Sequence, residues 1–307
     1  MNFDTIMSKN MIVMKFGGAS LADIRNIRLT CTIVKKFSKK NKIILVVSAM
    51  KGVTDKLYEI TSLIRGKKLE KALKLFQNIK KDHLITLKVI NKKQRAIKVQ
   101  IELIKLFELL EIFLRNVHRK EMTKAREDYI VSFGERFSCR LIAEALERYH
   151  VLAYPIDASY IMATTSQFGN ARPLYKKTED QIRVILYPLI HNNIIPVITG
   201  FIGFSHDGCT TTLGRGGSDL SAAFFAGYLN AKALYLWKDV GGFFSANPKE
   251  DKNAKLLTNM SYSEAYRMAK KGAKVIYHKA IAPVKRKKIP IYIRSFLDPN
   301  ARGTVIS

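Results

Sequence analysis

Cysteine is scarce in this sequence, and its spacing matches no common framework. The 307 residues contain three cysteines, Cys31, Cys139 and Cys209, far apart and without CxxC spacing. An odd set of this kind predicts neither a disulfide-stapled fold nor a zinc site. We therefore expect a protein of a reducing compartment.

Long hydrophobic runs are missing as well. The first ten residues, MNFDTIMSKN, hold no apolar segment like that of a signal peptide. No window of the chain approaches the roughly 20 apolar residues that span a bilayer. Internal repeats and low-complexity tracts are also absent, as are the GxGxxG pattern of dinucleotide-binding folds and the GxxxxGK[ST] pattern of Walker ATPases. The sequence predicts a cytoplasmic protein with no membrane partner.

Acidic residues are few relative to basic ones. The chain has 25 Asp and Glu against 53 Lys and Arg, a formal net charge of +28. Basic patches can bind nucleic acids or anionic membranes. Here the lysine pairs are scattered, with one denser run, KRKK at 285–288. Scattered charge is typical of solvated faces, so we expect no nucleic-acid partner.

The chain is rich in apolar residues, and their pattern predicts strands that alternate with helices. Hydrophobic residues make up 47% of it, which excludes a disordered chain. The runs MIVMKF at 11–16 and IILVV at 43–47 are continuous, as in strands buried on both faces of a parallel sheet. Further strands are predicted at 151–156, 194–198, 233–237 and 289–294, and helices at 219–229 and 261–271. The fold class is therefore α/β, with a mostly parallel central sheet covered on both sides and two lobes.

A long charged segment, 56–125, is poor in glycine and proline and carries apolar residues at helical spacing. It predicts a long helical hairpin or helix pair that packs beside the main sheet. The expected apolar face comprises Ile101, Ile104, Leu106, Leu109, Leu110 and Phe113. Such a stripe is also suited to self-association.

The most informative loop is TTTLGRGGSD at 210–219, which runs directly into the helical sequence LSAAFFAGYL. Its glycines allow close approach of a ligand, and N–H groups at a helix start form a cradle for anions. Arg215 can grip a carboxylate, Ser218 can bind it or cap the helix, and Asp219 can hold a lysine or a metal. The alternative is a plain glycine loop with Ser218 or Asp219 as N-cap.

A second loop, KFGGAS at 15–20, follows the first strand and places Lys15 at its carboxyl edge. Ligands bind at that edge of open α/β sheets. Alternatively, Lys15 simply faces solvent.

These loops belong to a set of motifs that occurs along almost the whole chain. In order, the motifs are KFGGAS at 15–20, VSA at 47–49 with GVTD at 52–55, SFGE at 132–135, TGFIG at 199–203, TTLGRGGSD at 211–219, Asp239-Val with Gly242, GAKV at 272–275, and Gly303-Thr304. This ordered set resembles the aspartate kinases, and stretches such as FGNARP at 168–173 are particularly similar to the lysine-sensitive bacterial branch.

The resemblance implies the amino acid kinase fold, a three-layer α/β/α sandwich in one domain over 1–307. An N-lobe at about 11–202, including the 56–125 insert, would bind aspartate, and a C-lobe at about 203–307 would bind ATP. The implied reaction is Mg-ATP + L-aspartate → ADP + 4-phospho-L-aspartate. It is the first step toward lysine, diaminopimelate, methionine and threonine.

The family's catalytic and acceptor residues map onto this sequence one by one. Lys15 corresponds to the lysine that neutralises the transferred phosphoryl group, and Asp219 to the aspartate that orients it. The substrate-binding positions are Arg215 and Ser218 for the α-carboxylate, Glu135 for the ammonium, and Ser48, Ala49 and Thr54 in the same pocket. Without the resemblance, Glu135 could instead be a surface acid that favours a helix N-terminus.

The nucleotide side maps less well. Its positions are Lys15, Gly17, Gly18, Lys238, Asp239, Phe244, Lys249, Lys274 and Val275, with no metal held by protein ligands alone. Where the family usually has TDVDGVYTADPR, residues 238–249 are KDVGGFFSANPK. Phe244 lacks a hydroxyl and Lys249 lacks the forked geometry of arginine, so we expect weaker nucleotide binding.

Two expectations concern partners and control. Most aspartate kinases continue into ACT domains that bind an inhibitory amino acid, and we expect none within these 307 residues. Unless a separate subunit supplies such domains, we expect no response to lysine, threonine or methionine. A homodimer is expected. Two alternatives remain: a kinase of this fold with another acceptor, such as glutamate or acetylglutamate, and a weakened homologue that acts as a regulatory partner.

Overall fold

One central sheet organises the molecule. The computed structural model describes residues 10–90, 97–246, 250–251 and 253–307. Within them, eight strands form a single sheet and two more form a separate hairpin. The strands are β1 Met11–Phe16, β2 Lys42–Val47, β3 Ala153–Ile156, β4 Ile195–Thr199, β5 Ile202–Phe204, β6 Thr210–Thr212, β7 Ala233–Lys238, β8 Asn259–Met260, β9 Ile291–Ser295 and β10 Thr304–Ile306.

The helices lie between these strands along the chain. The α-helices are α1 Ile24–Ser38, α2 Val53–Arg65, α3 Leu69–Ile90, α4 Ile97–Val117, α5 Lys124–Val131, α6 Phe133–Glu147, α7 Tyr175–Gln181, α8 Tyr187–His191, α9 Gly217–Tyr228, α10 Tyr262–Lys270 and α11 Ile281–Lys285. A π-helical segment, Ile182–Leu186, links α7 to α8, and 3-10 turns occupy Gly18–Leu21, Ala158–Tyr160 and His278–Ala280.

The strand order is β3-β4-β2-β1-β7-β9-β10-β8. All neighbours in this sheet pair in parallel except β9 and β10, which are antiparallel. The predicted mostly parallel sheet is therefore confirmed. The carboxyl ends of β1, β2 and β7 lie side by side, which brings three strand-to-helix loops to one edge.

Helices cover both faces of the sheet, and the side chains of β1 and β7 show how. Phe16 stacks on Trp237 with ring centroids 5.8 Å apart, and Phe37 of α1 meets Trp237 edge-on. Lys15 projects from the opposite face, toward Asp219 of α9. These alternating contacts establish the expected α/β/α layering, with α1 on one side and α9 on the other.

The helical insert differs in detail from the expected hairpin. The 56–125 segment contains the end of a separate helix, α2, before the long pair α3 and α4. The buried residues of α4 are Leu103, Phe107, Leu110, Leu114 and Val117, whereas Ile101 and Leu109 are exposed. The expected apolar face was thus wrong at those two positions, because the helix is turned to seat Phe107 on Phe137 of α6, with ring centroids 4.3 Å apart.

Candidate active site

Two lysines share one aspartate at the carboxyl edge of the sheet. The β1–β7 register places Lys15 beside Leu236, so Lys238 projects from the same face two residues further on. Lys15 Nζ lies 2.6 Å from Asp219 Oδ1. Lys238 Nζ lies 2.8 Å from Oδ2 and 3.1 Å from Oδ1 of the same carboxylate.

This cluster is buried and carries a net positive charge. Lys15 and Asp219 are each 5% exposed, so Lys15 does not face solvent, and that alternative was wrong. Burial opposes the ionised form of Asp219, but the charges of Lys15 and Lys238 outweigh it and hold the carboxyl pKa well below its usual value. Burial lowers the pKa of Lys15, Asp219 opposes that effect, and Lys238 adds to it. Two ammonium groups on one carboxylate leave a centre that favours an anion.

Asp219 owes its position to a left-handed turn before α9. Gly216 is the N-cap of this helix and has φ +77°, so neither Ser218 nor Asp219 caps it. A Cβ on Gly216 would lie 2.5 Å from Cγ of Tyr277, so only glycine fits there. The backbone N–H of Tyr277 donates to Asp219 Oδ2 at 3.3 Å. The close approach therefore gives the carboxylate a third donor.

Glu135 is a buried acid in the first turn of α6, 3% exposed, so the alternative of a surface acid was wrong. Its Oε1 accepts a hydrogen bond from the Ala49 backbone N–H at 3.1 Å. Its Oε2 is buried and has no hydrogen-bond partner among the residues that the structure describes. Burial raises the pKa of Glu135 to about 8, against the opposing effects of hydrogen bonds from the Ala49 N–H and from its own backbone N–H and of the Lys15 charge. A buried carboxyl with an unsatisfied oxygen suits a cationic ligand group, whose charge would favour the ionised form of the acid.

The loop after β2 links this acid to the sheet. The Ser138 hydroxyl of α6 donates to the Ser48 carbonyl at 2.6 Å. A Cβ on Gly18 would lie 3.1 Å from the Ala49 carbonyl oxygen, so the loop after β1 packs directly on the loop after β2. Gly17 lies next to the charged cluster, since a Cβ there would be 3.4 Å from Lys15 Nζ.

The other residues expected to bind aspartate are Thr54, Arg215 and Ser218, and none of them has a described contact with Glu135. Thr54 is half-buried in the first turn of α2. Arg215 is exposed, in the turn before α9. Ser218 is buried against Gly200, where a Cβ would approach Ser218 Cβ to 2.7 Å. Their binding roles stay predictions.

A cavity of about 660 Å³ opens in the second half of the chain. Its walls include three of the nucleotide-side residues expected from the sequence, Phe244, Lys274 and Val275. The rest of the lining is Val240, Gly242, Phe243, Ser245, Ala246, Met268, Lys271, Gly272 and Ala273. Lys238 instead binds Asp219, and Asp239 is exposed. Lys249 lies outside the described residues.

Sequence reasoning missed a buried acid that ties the site loops together. Asp128 of α5 accepts hydrogen bonds at 2.8 Å from the backbone N–H groups of Gly169 and Thr212 and from the Thr212 hydroxyl. It thereby joins the 168–173 segment to the strand that leads into the 214–219 turn. No local pattern marks this residue, because its partners are 41 and 84 positions away.

Comparison with known proteins decides the family. The model of the amino acid kinase family matches residues 10–295. The chain belongs to the amino acid kinase family. Two curated relatives are the lysine-sensitive aspartokinase 3 of Escherichia coli, 34% identical over 297 residues, and the chloroplastic aspartokinase 1 of Arabidopsis thaliana, 32% identical over 305 residues. This confirms the resemblance to aspartate kinases that the ordered motifs indicated.

Solved structures also support membership of the amino acid kinase family. The crystal structure of E. coli aspartokinase III in complex with aspartate and ADP, in the R-state, matches with a TM-score of 0.86 at 30% identity. The T-state structure of that enzyme with lysine and aspartate has the same TM-score and identity. The matches cover 96% of this chain but 64% of the E. coli protein, and 52% of the Arabidopsis relative.

The described residues contain neither a candidate membrane helix nor a candidate metal cluster. No helix there has the length and apolar character needed to cross a bilayer. No group of three or more His, Cys, Asp or Glu side chains in that part of the chain is arranged to hold a metal ion.

Proposed function

We propose that this chain is an aspartate kinase, which transfers the γ-phosphoryl group of ATP to the β-carboxylate of L-aspartate. One observation carries the proposal. The net-positive cluster of Lys15, Asp219 and Lys238 stands at the same sheet edge as Glu135, a buried acid whose Oε2 has no hydrogen-bond partner in the described part of the chain. The first feature suits a phosphoryl group and the second an ammonium. The names of the relatives support the same substrate pair.

The reaction needs no covalent intermediate on the protein. An oxygen of the aspartate β-carboxylate forms a bond to the γ-phosphorus, and the bond from that phosphorus to the bridging oxygen of ADP breaks. The protein contributes alignment and charge neutralisation. Lys15 faces the transferred group, and Asp219 fixes the direction of the Lys15 ammonium through the 2.6 Å ion pair.

The acceptor is held by its two other charged groups. Glu135 receives the substrate ammonium at Oε2, and the carboxyl loses its proton as the cation arrives. Arg215 and Ser218 hold the α-carboxylate, with Arg215 moving from solvent to form a forked pair. Ser48, Ala49 and Thr54 line the pocket.

The nucleotide is assigned to the cavity beside Phe244, Lys274 and Val275, whose volume and apolar walls suit an adenine and ribose. The roles of Asp239 and Lys249 in nucleotide binding stay predictions. Mg²⁺ enters with the phosphates, since magnesium in such sites is commonly bound through phosphate oxygens, water and one or two carboxylates. The division into an aspartate-binding half at about 11–202 and a nucleotide-binding half at about 203–307 is part of this proposal, with Arg215 and Ser218 reaching the aspartate from the second half. Homodimer formation and cytoplasmic location stay predictions.

A hydroxamate assay tests the proposal. Hydroxylamine traps an acyl phosphate as a coloured hydroxamate, so Mg-ATP is offered with L-aspartate, L-glutamate or N-acetylglutamate in parallel. We expect product with aspartate only. Product with glutamate or acetylglutamate alone would overturn the acceptor assignment, and no product with any acceptor would favour the regulatory homologue.

A further inference from the structure

Lys238 differs in its surroundings from Phe244, Lys274 and Val275, the nucleotide-side residues that line the cavity. It ends β7, beside β1, and its ammonium contacts both oxygens of Asp219, at 2.8 and 3.1 Å. Its side chain is 16% exposed, and it is not among the described walls of the 660 Å³ cavity. This position is therefore inside the charged cluster rather than in the nucleotide wall.

We propose that Lys238 is a positioning residue of the phosphoryl-transfer centre, which fixes the Asp219 carboxylate against Lys15 and supplies the positive charge left over for the anionic group. The inference rests on the proposed function and deepens it. A single lysine would neutralise Asp219 and leave no net charge. The second lysine provides that charge.

The geometry explains how Lys238 acts through its neighbour. Because the Lys238 ammonium bridges both carboxylate oxygens, it fixes the rotation of the Asp219 side chain and keeps Oδ1 within 2.6 Å of Lys15. The Tyr277 N–H, which donates to Asp219 Oδ2, also helps to fix this rotation. Without Lys238 the carboxylate keeps only the Lys15 and Tyr277 donors, so it is held less firmly and the direction of the Lys15 ammonium is less well fixed.

Lys238 also acts on the protonation of Lys15. The charged groups that bear on Lys15 are Asp219 on α9, Lys238 on β7 and Glu135 on α6. Burial and the Lys238 charge lower the Lys15 pKa, whereas Asp219 and Glu135 raise it. Loss of the Lys238 charge therefore raises the Lys15 pKa, and activity that needs protonated Lys15 extends to higher pH.

The test compares Lys238→Met, which removes the charge, with Lys238→Arg, which keeps it. The matched control is Lys232→Met, an exposed lysine just before the other end of β7. Rates are measured at saturating Mg-ATP over a range of aspartate concentrations, at several pH values across the alkaline range. We expect Lys238→Met to lower kcat by about tenfold to a hundredfold, to leave the KM for aspartate unchanged and to move the alkaline limb of kcat upward. In Lys238→Arg the alkaline limb of the kcat–pH profile should lie at the same pH as in the parent chain.

A merely structural lysine would behave differently. Thermal unfolding followed by circular dichroism checks that each variant is folded. If Lys238→Met is not folded, Lys238→Thr takes its place in the comparison. A wild-type pH profile and kcat in folded Lys238→Met, or equal losses in the Met and Arg variants, would overturn the inference.

Nucleotide binding separates this inference from the proposed function. Calorimetry compares a non-hydrolysable ATP analogue with ADP, both with Mg²⁺ and without an acceptor. Lys238→Met should weaken the triphosphate by about tenfold and ADP less, because only the triphosphate carries the terminal group. If the parent chain does not phosphorylate aspartate, this result still supports Lys238, whereas equal affinities in parent and variant contradict it.

Discussion

Replacing Glu135 with Gln should make the chain more stable at alkaline pH. The substitution keeps the size of the side chain and its acceptor for the Ala49 N–H but removes the ionisable group. In the folded chain the pKa of Glu135 is raised to about 8, from 4.5, by burial. Below pH 4.5 the acid is protonated in both the folded and the unfolded chain, so its ionisation does not change the free energy of unfolding. Between the two values the unfolded chain releases the proton and the folded chain keeps it, so stability falls as the pH rises.

The size of this effect follows from the two pKa values. Each pKa unit corresponds to about 1.36 kcal/mol, so the interval from 4.5 to about 8 represents on the order of 5 kcal/mol of stability that the parent chain loses and Glu135→Gln does not. Glu147, exposed at the end of the same helix, provides the matched control Glu147→Gln. That variant should follow the parent chain at every pH.

Urea unfolding near pH 5 and near pH 8 measures the difference. The free energies of unfolding of Glu135→Gln and the parent chain should be close at the lower pH and separate in favour of the variant at the higher pH. A constant difference across the range would show that Glu135 ionises normally and would refute its assignment as a desolvated acid. The same variant should bind aspartate poorly at all pH values, whereas the parent should bind it more tightly as the pH rises toward 8.

Three further predictions follow from the site. Lys15→Met should lower kcat by about a hundredfold or more, with little change in aspartate binding measured by calorimetry, because a preorganised charge on the transferred group is lost; a normal kcat would contradict its role. Arg215→Ala should mainly raise the KM for aspartate, since a forked pair is made in the ground state too, and an unchanged KM would remove Arg215 from the acceptor site. Asp128→Ala should lower the free energy of unfolding, measured by urea titration, by about 3 kcal/mol, because three hydrogen bonds from Gly169 and Thr212 lose their acceptor. A loss below about 1 kcal/mol would show that Asp128 does not hold these loops together.

The fold was predictable where the sequence signal is local and strong. The runs at 11–16 and 43–47 match β1 and β2 within a residue, because strands buried on both faces must be continuously apolar. β5, β6, β8 and β10 were not predicted. They have two or three residues each and exist only through pairing with a partner strand, which no short window encodes. The phase of α4 was also missed, because Ile101 and Leu109 satisfy helical spacing but face outward.

The site shows the same division. Lys15 and Asp219 were singled out by their glycine loops, but their ion pair depends on α9 packing over β1. Glu135 stayed ambiguous because sequence alone does not reveal burial. Lys238 was predictable in principle, since it is the first charged residue after the apolar run of β7, but its contact with Asp219 requires the β1–β7 register. Long-range pairing is what the local patterns lack.

The most direct test of the central claim is phosphorus NMR of the chain with Mg-ATP and L-aspartate isotope-labelled at the side-chain carboxyl. We predict an acyl-phosphate signal coupled to the labelled carboxyl carbon, formed together with ADP and absent with Lys15→Met. ADP and inorganic phosphate without the acyl phosphate, or intact ATP under conditions in which calorimetry shows both substrates bound, would contradict the claim that this centre phosphorylates aspartate.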